Sequence, residues 1–353
     1  MATRSPAVPA PIKIRSLKEL VDSGLQYVPE TYIRPPHERV DTTSLSVPVN
    51  GSFPEKLPII SLRQSGNQLR QQIGLACKEW GIFQVIDHGF PTILKTELWE
   101  AISHFFSLPT DVKIELVSQG PSSPLFFFSG LYAQDTVSDW KDTLGFRPNR
   151  STNLNLLPSF LREPLLKFEW KMGILAQKLI EMVFSSLRLD ENIFSEIHTR
   201  RRTMTFNYYP VCPEPNLTYG LSSHSDIGSI TILMQDAVKG LQVKREERWI
   251  DVEPMKDAFI VLIGDQIEIL TNGHYESVEH RVTTNKTVPR MSVACFFAPS
   301  EEDVVRPLKE FVDAEHPSLY KETKFCDYLR NGLSKPLSGK TNLKFSSLKL
   351  LPA

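Results

Sequence analysis

His224 and Asp226 stand two positions apart in Gly220-Leu221-Ser222-Ser223-His224-Ser225-Asp226-Ile227-Gly228-Ser229-Ile230-Thr231-Ile232-Leu233. An imidazole nitrogen and a carboxylate oxygen are donors that divalent first-row metal ions accept. The β-branched residues that follow predict a strand, and in a strand positions i and i+2 share a face. The two donors should therefore project side by side, as half of a metal site. His280, in Ser277-Val278-Glu279-His280-Arg281-Val282, offers a second imidazole. Two histidines and one carboxylate form the facial triad that holds non-haem ferrous iron and leaves positions open for reactants. A lone His-x-Asp is common without a metal, so the triad needs support from the rest of the chain.

Support comes from a second i, i+2 pair. Arg290 and Ser292 open the apolar stretch Ser292-Val293-Ala294-Cys295-Phe296-Phe297. An arginine that points into an apolar interior needs an anionic partner. Its planar fork suits a carboxylate, and a serine hydroxyl beside it adds a donor. A third pair, Asn207 and Tyr209 in Asn207-Tyr208-Tyr209-Pro210, shares a face by the same rule.

Taken together, Asn207-x-Tyr209-Pro210, His224-x-Asp226, Asn272-Gly273 with Ser277-Val278-Glu279-His280-Arg281, and Arg290-x-Ser292 resemble the plant 2-oxoglutarate- and iron(II)-dependent dioxygenases in order and spacing. That family includes flavonol synthase, anthocyanidin synthase and the jasmonate and salicylate hydroxylases, and the resemblance covers most of the chain. It implies Fe(2+) on His224, Asp226 and His280. It implies 2-oxoglutarate as cosubstrate, its distal carboxylate on Arg290 and Ser292 with Tyr209 and Asn207 completing the pocket. Oxygen is the second cosubstrate, ascorbate a supporting reductant, and succinate and carbon dioxide the by-products. Two alternatives stay open: an oxidase of the same fold that spares 2-oxoglutarate, and an idle roll that only binds a small molecule. Succinate release separates the first, and iron titration the second.

The elements that must position these residues can be read along the chain. Residues 1–11 are rich in proline and read as a flexible tail with no secretory signal. Residues 16–24 predict a short helix with Ser16 as cap and Glu19 in capping-box position. Residues 38–55 read as a loop and 57–62 as a strand. Leu69, Ile73, Ala76, Cys77 and Trp80 recur at helical spacing, with Gly81 as the stop, and residues 82–86 form a buried strand. Residues 93–106 and 164–187 predict two further helices, the second with a broad apolar face. Strands are expected at 204–208, 230–235, 241–244, 249–252, 259–263, 277–282 and 292–298, with Gly and Asn-Gly between them. The expected fold is mainly β with flanking α: a double-stranded β-helix, or jelly-roll, cupin-like core behind an N-terminal helical region. The expected organisation is an arm over 1–56, a helix-rich region over 57–198, the catalytic core over 199–300 and a C-terminal extension over 301–353.

Other features point to the substrate. Gly120, Pro121 and Pro124 argue against a regular element before Phe126-Phe127-Phe128. In the resembled family this segment lines the substrate mouth, so Phe127 and Phe128 become candidate wall residues, and the family adds Phe296. No second basic motif lies near the triad in sequence, and Arg200-Arg201-Arg202 reads as a solvated run. The expected substrate is then an apolar or aromatic plant specialised metabolite or hormone. Hydroxylation, desaturation and O-demethylation remain open. Thr205 stands where anthocyanidin synthases carry a lysine, and Gln266 matches the jasmonate-hydroxylase-like branch, but neither assigns a branch. His88 reads as structural, Trp140-Lys141-Asp142 as packing, and His274 as surface.

Composition sets the outer bounds. Lys and Arg number 40 against 41 Asp and Glu, a formal net charge of −1. That gives no electrostatic case for nucleic acid or a membrane surface. The longest apolar run, 258–263, is far too short to span a bilayer. Four cysteines without paired spacing read as reduced, mostly buried thiols in a cytoplasmic protein. The expected partner is a small-molecule substrate, and the expected state a monomer.

Overall fold

A computed structural model describes residues 16–39, 56–64, 66–118, 123–129, 137–148, 153–189 and 197–348. The predicted tail, most of the 38–55 loop and the stretch 119–122, where Gly120 and Pro121 argue against a regular element, lie outside the described residues. Twelve strands matter for the site: β1 (Ile59–Ser61), β2 (Ile82–Ile86), β3 (Leu125–Ser129), β4 (Asp142–Phe146), β5 (Arg201–Tyr209), β6 (Tyr219–His224), β7 (Ile230–Gln235), β8 (Leu241–Arg245), β9 (Arg248–Asp251), β10 (Phe259–Ile263), β11 (His280–Thr283) and β12 (Arg290–Ala298). They form an eight-stranded major sheet in the order β1-β2-β10-β7-β12-β5-β4-β3 and a four-stranded minor sheet in the order β6-β11-β8-β9. From β5 to β12 the chain passes back and forth between the sheets, with β8 and β9 paired as one antiparallel step within the minor sheet, and this exchange makes the roll.

The helices are α1 (Leu17–Asp22), α2 (Gly66–Glu79), α3 (Thr92–Ser107), α4 (Thr110–Val117), α5 (Ser159–Ser186), α6 (Asp265–Leu270) and α7 (Phe325–Leu333). Helices α2, α3 and α5 cover the outer face of the major sheet. There Ile73, Leu98, Phe105, Phe168 and Leu179 pack with Phe83, Leu144, Phe146, Phe206, Ile232, Val261 and Val293. Burying each such side chain contributes about 1.5–3 kcal/mol. A second cluster lies on the inner face, between the sheets: Tyr209, Leu233, Leu241, Val243, Leu262, Val282 and Ala294. Residues therefore alternate along β5, β7 and β12 between the helical layer and the inside of the roll.

Helix α5 begins at Ser159, earlier than the proline that was read as its start, so Pro164 lies within its second turn. Helices α4 and α6 had no prediction. Ser16 does cap α1, accepting from the Glu19 amide at 3.2 Å. The reciprocal half of the capping box does not form, because the Glu19 carboxylate accepts from Thr110 Oγ1 at 2.6 Å instead. The first amides of α1 are satisfied by buried Asp142, which accepts from the Leu17 N–H at 2.9 Å and the Lys18 N–H at 3.0 Å. This fastens the N-terminal arm to β4. The four cysteines are free, and Cys77, Cys212 and Cys295 are buried. No helix among the described residues is long and apolar enough to cross a membrane.

Candidate active site

The three side chains expected to hold a metal meet at one end of the roll. His224 ends β6 and His280 begins β11, and the two are direct partners in the strand register. Their rings lie 4.3 Å apart. His224 Nε2 is 3.6 Å from Asp226 Oδ1 and His280 Nε2 is 3.8 Å from it. Donor atoms from all three lie within 4.8 Å of one another.

Asp226 is not on the strand with His224, as the i, i+2 spacing had suggested. Strand β6 belongs to the minor sheet and β7 to the major, so residues 225–229 must cross between them. The crossing is tight. Ser229 donates its amide to the Phe297 carbonyl at 2.8 Å. A Cβ on Gly228 would lie 2.7 Å from that same oxygen, and one on Gly264 would lie 2.3 Å from the Gly228 oxygen. Helix α6 holds the crossing from behind. The Asp265 amide donates to the Asp226 carbonyl at 2.8 Å, the Gln266 amide to the Gly228 carbonyl at 3.0 Å, and Gln266 Nε2 to the Ile227 carbonyl at 2.9 Å. Gly264→Ala should therefore force this loop apart, at about 1–3 kcal/mol for an overpacked site. A lower melting temperature together with weaker Fe(II) binding in titration is the expected result; an unchanged melt and titration would show that the loop yields freely.

The protonation pattern suits a cation. His224 Nδ1 donates to the Ser222 carbonyl at 2.8 Å and His280 Nδ1 to the Val278 carbonyl at 3.1 Å. With Nδ1 carrying the proton, each Nε2 presents a lone pair toward Asp226. Burial, then the neighbouring His280, pushes the His224 pKa down to about 3, so its ring is neutral at physiological pH. Asp226 Oδ2 is buried without a hydrogen-bond partner. A buried carboxylate oxygen left bare is costly unless a cation meets it. The donor set thus fits a metal ion.

A second set of polar atoms lies on the major sheet. Arg290 pairs with Tyr209, and Ser292 with Asn207, across β12 and β5. Arg290 Nη2 donates to Gln235 Oε1 at 2.6 Å and Nε to the Val238 carbonyl at 3.3 Å, while Nη1 is buried without a partner. The guanidinium also lies over the Tyr209 ring at 5.1 Å. Ser292 shares the cavity; Thr231, farther along on β7 opposite Phe296, also lines it, and its hydroxyl is unpartnered. The unspent donor of a buried arginine fits an anionic carboxylate. Asn207 is more committed than expected. Its Oδ1 accepts from Thr143 Oγ1 at 2.9 Å and Lys141 Nζ at 3.3 Å, and its Nδ2 donates to Thr205 Oγ1 at 3.3 Å.

Both sets line one cavity of about 370 Å³, a size suited to small organic ligands. Its mouth shares Phe128, Lys141 and Leu337 with a broad outer groove. Phe296 lies on the wall, as expected. The phenylalanine cluster needs a correction. Residues 125–129 form an edge strand, so alternation sends Phe126 and Phe128 to the cavity and Phe127 to the opposite face. There Phe127 packs edge-on to Phe105 and takes the Lys113 ammonium 5.5 Å from its centroid. The Phe126 and Phe128 rings stack in parallel, 6.2 Å apart. The ring of Phe126 covers Gly145, where a Cβ would lie 1.9 Å from it.

Further cavity residues were not read from the sequence. Phe325, Leu329, Leu333 and Leu337 close the wall from the C-terminal region. That region is fixed to α6: Tyr328 donates to Asp265 at 2.7 Å, and Glu268 accepts from Tyr320 at 2.7 Å and Lys340 at 2.6 Å. Burial pushes the Asp265 pKa up to about 7. Lys141, Arg147 and Arg201 also line the cavity, so the premise that no second basic group lies near the triad is corrected. The signal was present in the alternation Arg201-x-Thr203-x-Thr205-x-Asn207-x-Tyr209, which puts all five on one face of β5. Arg200 and Arg202 pair instead with Asp303 and Glu169. His88 lies against Phe259 with Nε2 2.7 Å from the Asp257 carbonyl, a structural role as expected.

Comparison with known proteins agrees with this geometry. Residues 201–299 match the 2OG-Fe(II) oxygenase superfamily model, and residues 57–160 match the model of the N-terminal region of non-haem dioxygenases in morphine synthesis. Codeine O-demethylase of Papaver somniferum is 34% identical over 349 residues, spanning 95% of this chain and 96% of that protein. Jasmonate-induced oxygenase 1 of Arabidopsis thaliana is 37% identical over 335 residues, spanning 90% of this chain and 82% of that protein. The crystal structure of JOX2 in complex with 2OG, Fe and JA superposes with a TM-score of 0.84 at 33% identity, covering 96% of this chain and 98% of that one.

Proposed function

Since the chain belongs to the plant 2-oxoglutarate- and iron(II)-dependent oxygenases, we propose that His224, Asp226 and His280 hold its iron, that Arg290 and Ser292 anchor the cosubstrate, and that it hydroxylates an apolar or aromatic plant specialised metabolite or hormone. The observation that carries this reading is one cavity in which the Asp226 carboxylate, with one oxygen bare, stands against two imidazoles, and in which Arg290 keeps an unspent guanidinium nitrogen, beside a wall of phenylalanines. Iron with 2-oxoglutarate and oxygen supplies the oxidising power, 2-oxoglutarate leaving as succinate and carbon dioxide.

The chain's own residues supply position and dryness. The Ser222 and Val278 carbonyls hold both imidazoles in the donating tautomer. Arg290, braced by Gln235 and Val238, fixes a carboxylate in direction as well as charge. Phe126, Phe128 and Phe296 exclude water and give a flat or apolar body a surface to lie on.

The test is substrate-dependent succinate formation across a panel of plant phenolics and hormones. Stimulation by a compact polar compound alone would overturn the substrate class, and oxidation without succinate would point to the oxidase chemistry instead. The two faces of β3 give a sharper check. Phe126→Ala and Phe128→Ala should raise KM for the best panel substrate while leaving the 2-oxoglutarate KM unchanged. Phe127→Ala should do neither and instead lower stability by up to ~3 kcal/mol, the scale of a truncated core phenylalanine, with a matching fall in melting temperature. A substrate KM raised by Phe127→Ala alone would reverse the assignment of the two faces.

A further inference from the structure

The cavity floor has a cation at each end. Along β5 the inward side chains run from Tyr209, opposite Arg290, to Arg201, opposite Ala298. At about 3.4 Å per residue, the two ends stand roughly 27 Å apart along the strand. The Arg201 end adjoins the metal-side crossing, since a Cβ on Gly228 would lie 3.5 Å from Ala298 Cβ. Arg290 stands at the other end of β12. The cation at Arg201 is therefore separate from the carboxylate site at Arg290.

Arg147 lies with Arg201. It follows β4 on the parity of Thr143 and Gly145, and Thr143 and Arg147 both line the cavity. Its guanidinium lies 5.3 Å from the centroid of Phe126, and among the described residues it has no ion-pair partner. Arg201 Nη1 holds Glu301 Oε1 at 2.5 Å. Two guanidinium groups thus stand against one carboxylate, and one positive charge is left over. Burial, and then the charge of Arg201, lower the Arg147 pKa, as expected for two cations close together.

We propose that Arg147 and Arg201 anchor an acid group of the substrate, so that the natural substrate is an apolar or aromatic molecule bearing a carboxylate. This rests on the reading that the cavity takes an apolar body. A guanidinium fork binds a carboxylate in two parallel hydrogen bonds and fixes its orientation. From that anchor the body lies along the stacked rings of Phe126 and Phe128, and its length decides which C–H bond faces the triad. Gly145 matters here because any side chain would displace Phe126 from beneath Arg147. The two arginines are then specificity-determining residues for a reaction whose machinery lies elsewhere in the cavity.

The test uses the anaerobic holoenzyme with Fe(II) and 2-oxoglutarate, and two probes of nearly equal shape, cinnamate and cinnamamide, with dissociation constants for each. The acid should bind about tenfold or more tightly than the amide. Arg147→Gln, at an exposed position where folding is not at risk, should weaken cinnamate roughly fivefold and leave cinnamamide unchanged. The double variant Arg147→Gln/Arg201→Gln should bring the acid-to-amide ratio near one, with 2-oxoglutarate affinity unaltered. Equal binding of both probes to the wild type, or an acid preference that survives the double variant, overturns the anchor while the apolar cavity stands. Binding of neither probe overturns the apolar-cavity reading itself, and the anchor with it.

Discussion

Asp226→Ala should abolish substrate-dependent succinate formation and weaken Fe(II) affinity by roughly a hundredfold or more, given that even the loss of an outer-shell partner typically costs ten- to a hundredfold. It removes the sole anionic donor of the triad, the one oxygen on which both imidazole nitrogens converge at 3.6 and 3.8 Å. The fold should survive. Asp226 Oδ2 makes no hydrogen bond, and the Asp226 carbonyl, which holds α6, belongs to the backbone and remains. Relief of an unpartnered buried carboxylate should raise the apo melting temperature slightly rather than lower it. Fe(II) titration and a thermal melt on the same preparation check both parts. Wild-type turnover with unchanged iron affinity would place the metal elsewhere.

Arg290→Lys is expected to raise the KM for 2-oxoglutarate about ten- to a hundredfold, the equivalent of about 1.5–3 kcal/mol for a charged hydrogen bond. Charge is kept and geometry is lost. Lysine cannot reach Gln235 and Val238 while also offering a further donor to the cavity, as the Arg290 fork does. Iron affinity should not change, because no triad residue hydrogen-bonds to Arg290. Initial rates against 2-oxoglutarate concentration measure the effect. An unchanged KM would move the carboxylate site off β12.

Much of this site was legible before any coordinates. The donor types in His224-x-Asp226 and His280 are few in the chain and specific in chemistry. The pairs Asn207/Tyr209 and Arg290/Ser292 lie on strands whose alternation is clean, so their common face could be read and their meeting across β5 and β12 followed from the family resemblance. Four things were not legible, each for a physical reason. Local pattern does not say which sheet a strand joins, so the bend that takes Asp226 off the strand was invisible. Phe126-Phe127-Phe128 is apolar throughout, so it carries no period from which to tell the inward residues from the outward one. Arg201 lay inside a run of like charges, where only the alternation of β5 separates it from Arg202, which turns the other way to Glu169. Helix α6 is short, and tertiary contacts rather than propensity hold it.

The alternation along β4, β5 and β12 bears on how such an enzyme can diverge. Thr143, Thr203, Thr205, Ala294 and Phe296 turn toward the cavity, while Leu144, Phe146, Met204, Phe206, Val293 and Cys295 turn toward the helices. Neighbouring codons thus answer to separate demands. Drift at the first group retunes selectivity with little penalty to folding, because those side chains border an open space rather than a packed one. Drift at the second group is restrained by packing whatever the ligand. A lineage built on this sheet can change what it oxidises in single steps and keep the same scaffold, which is the latitude a plant needs to diversify its small molecules.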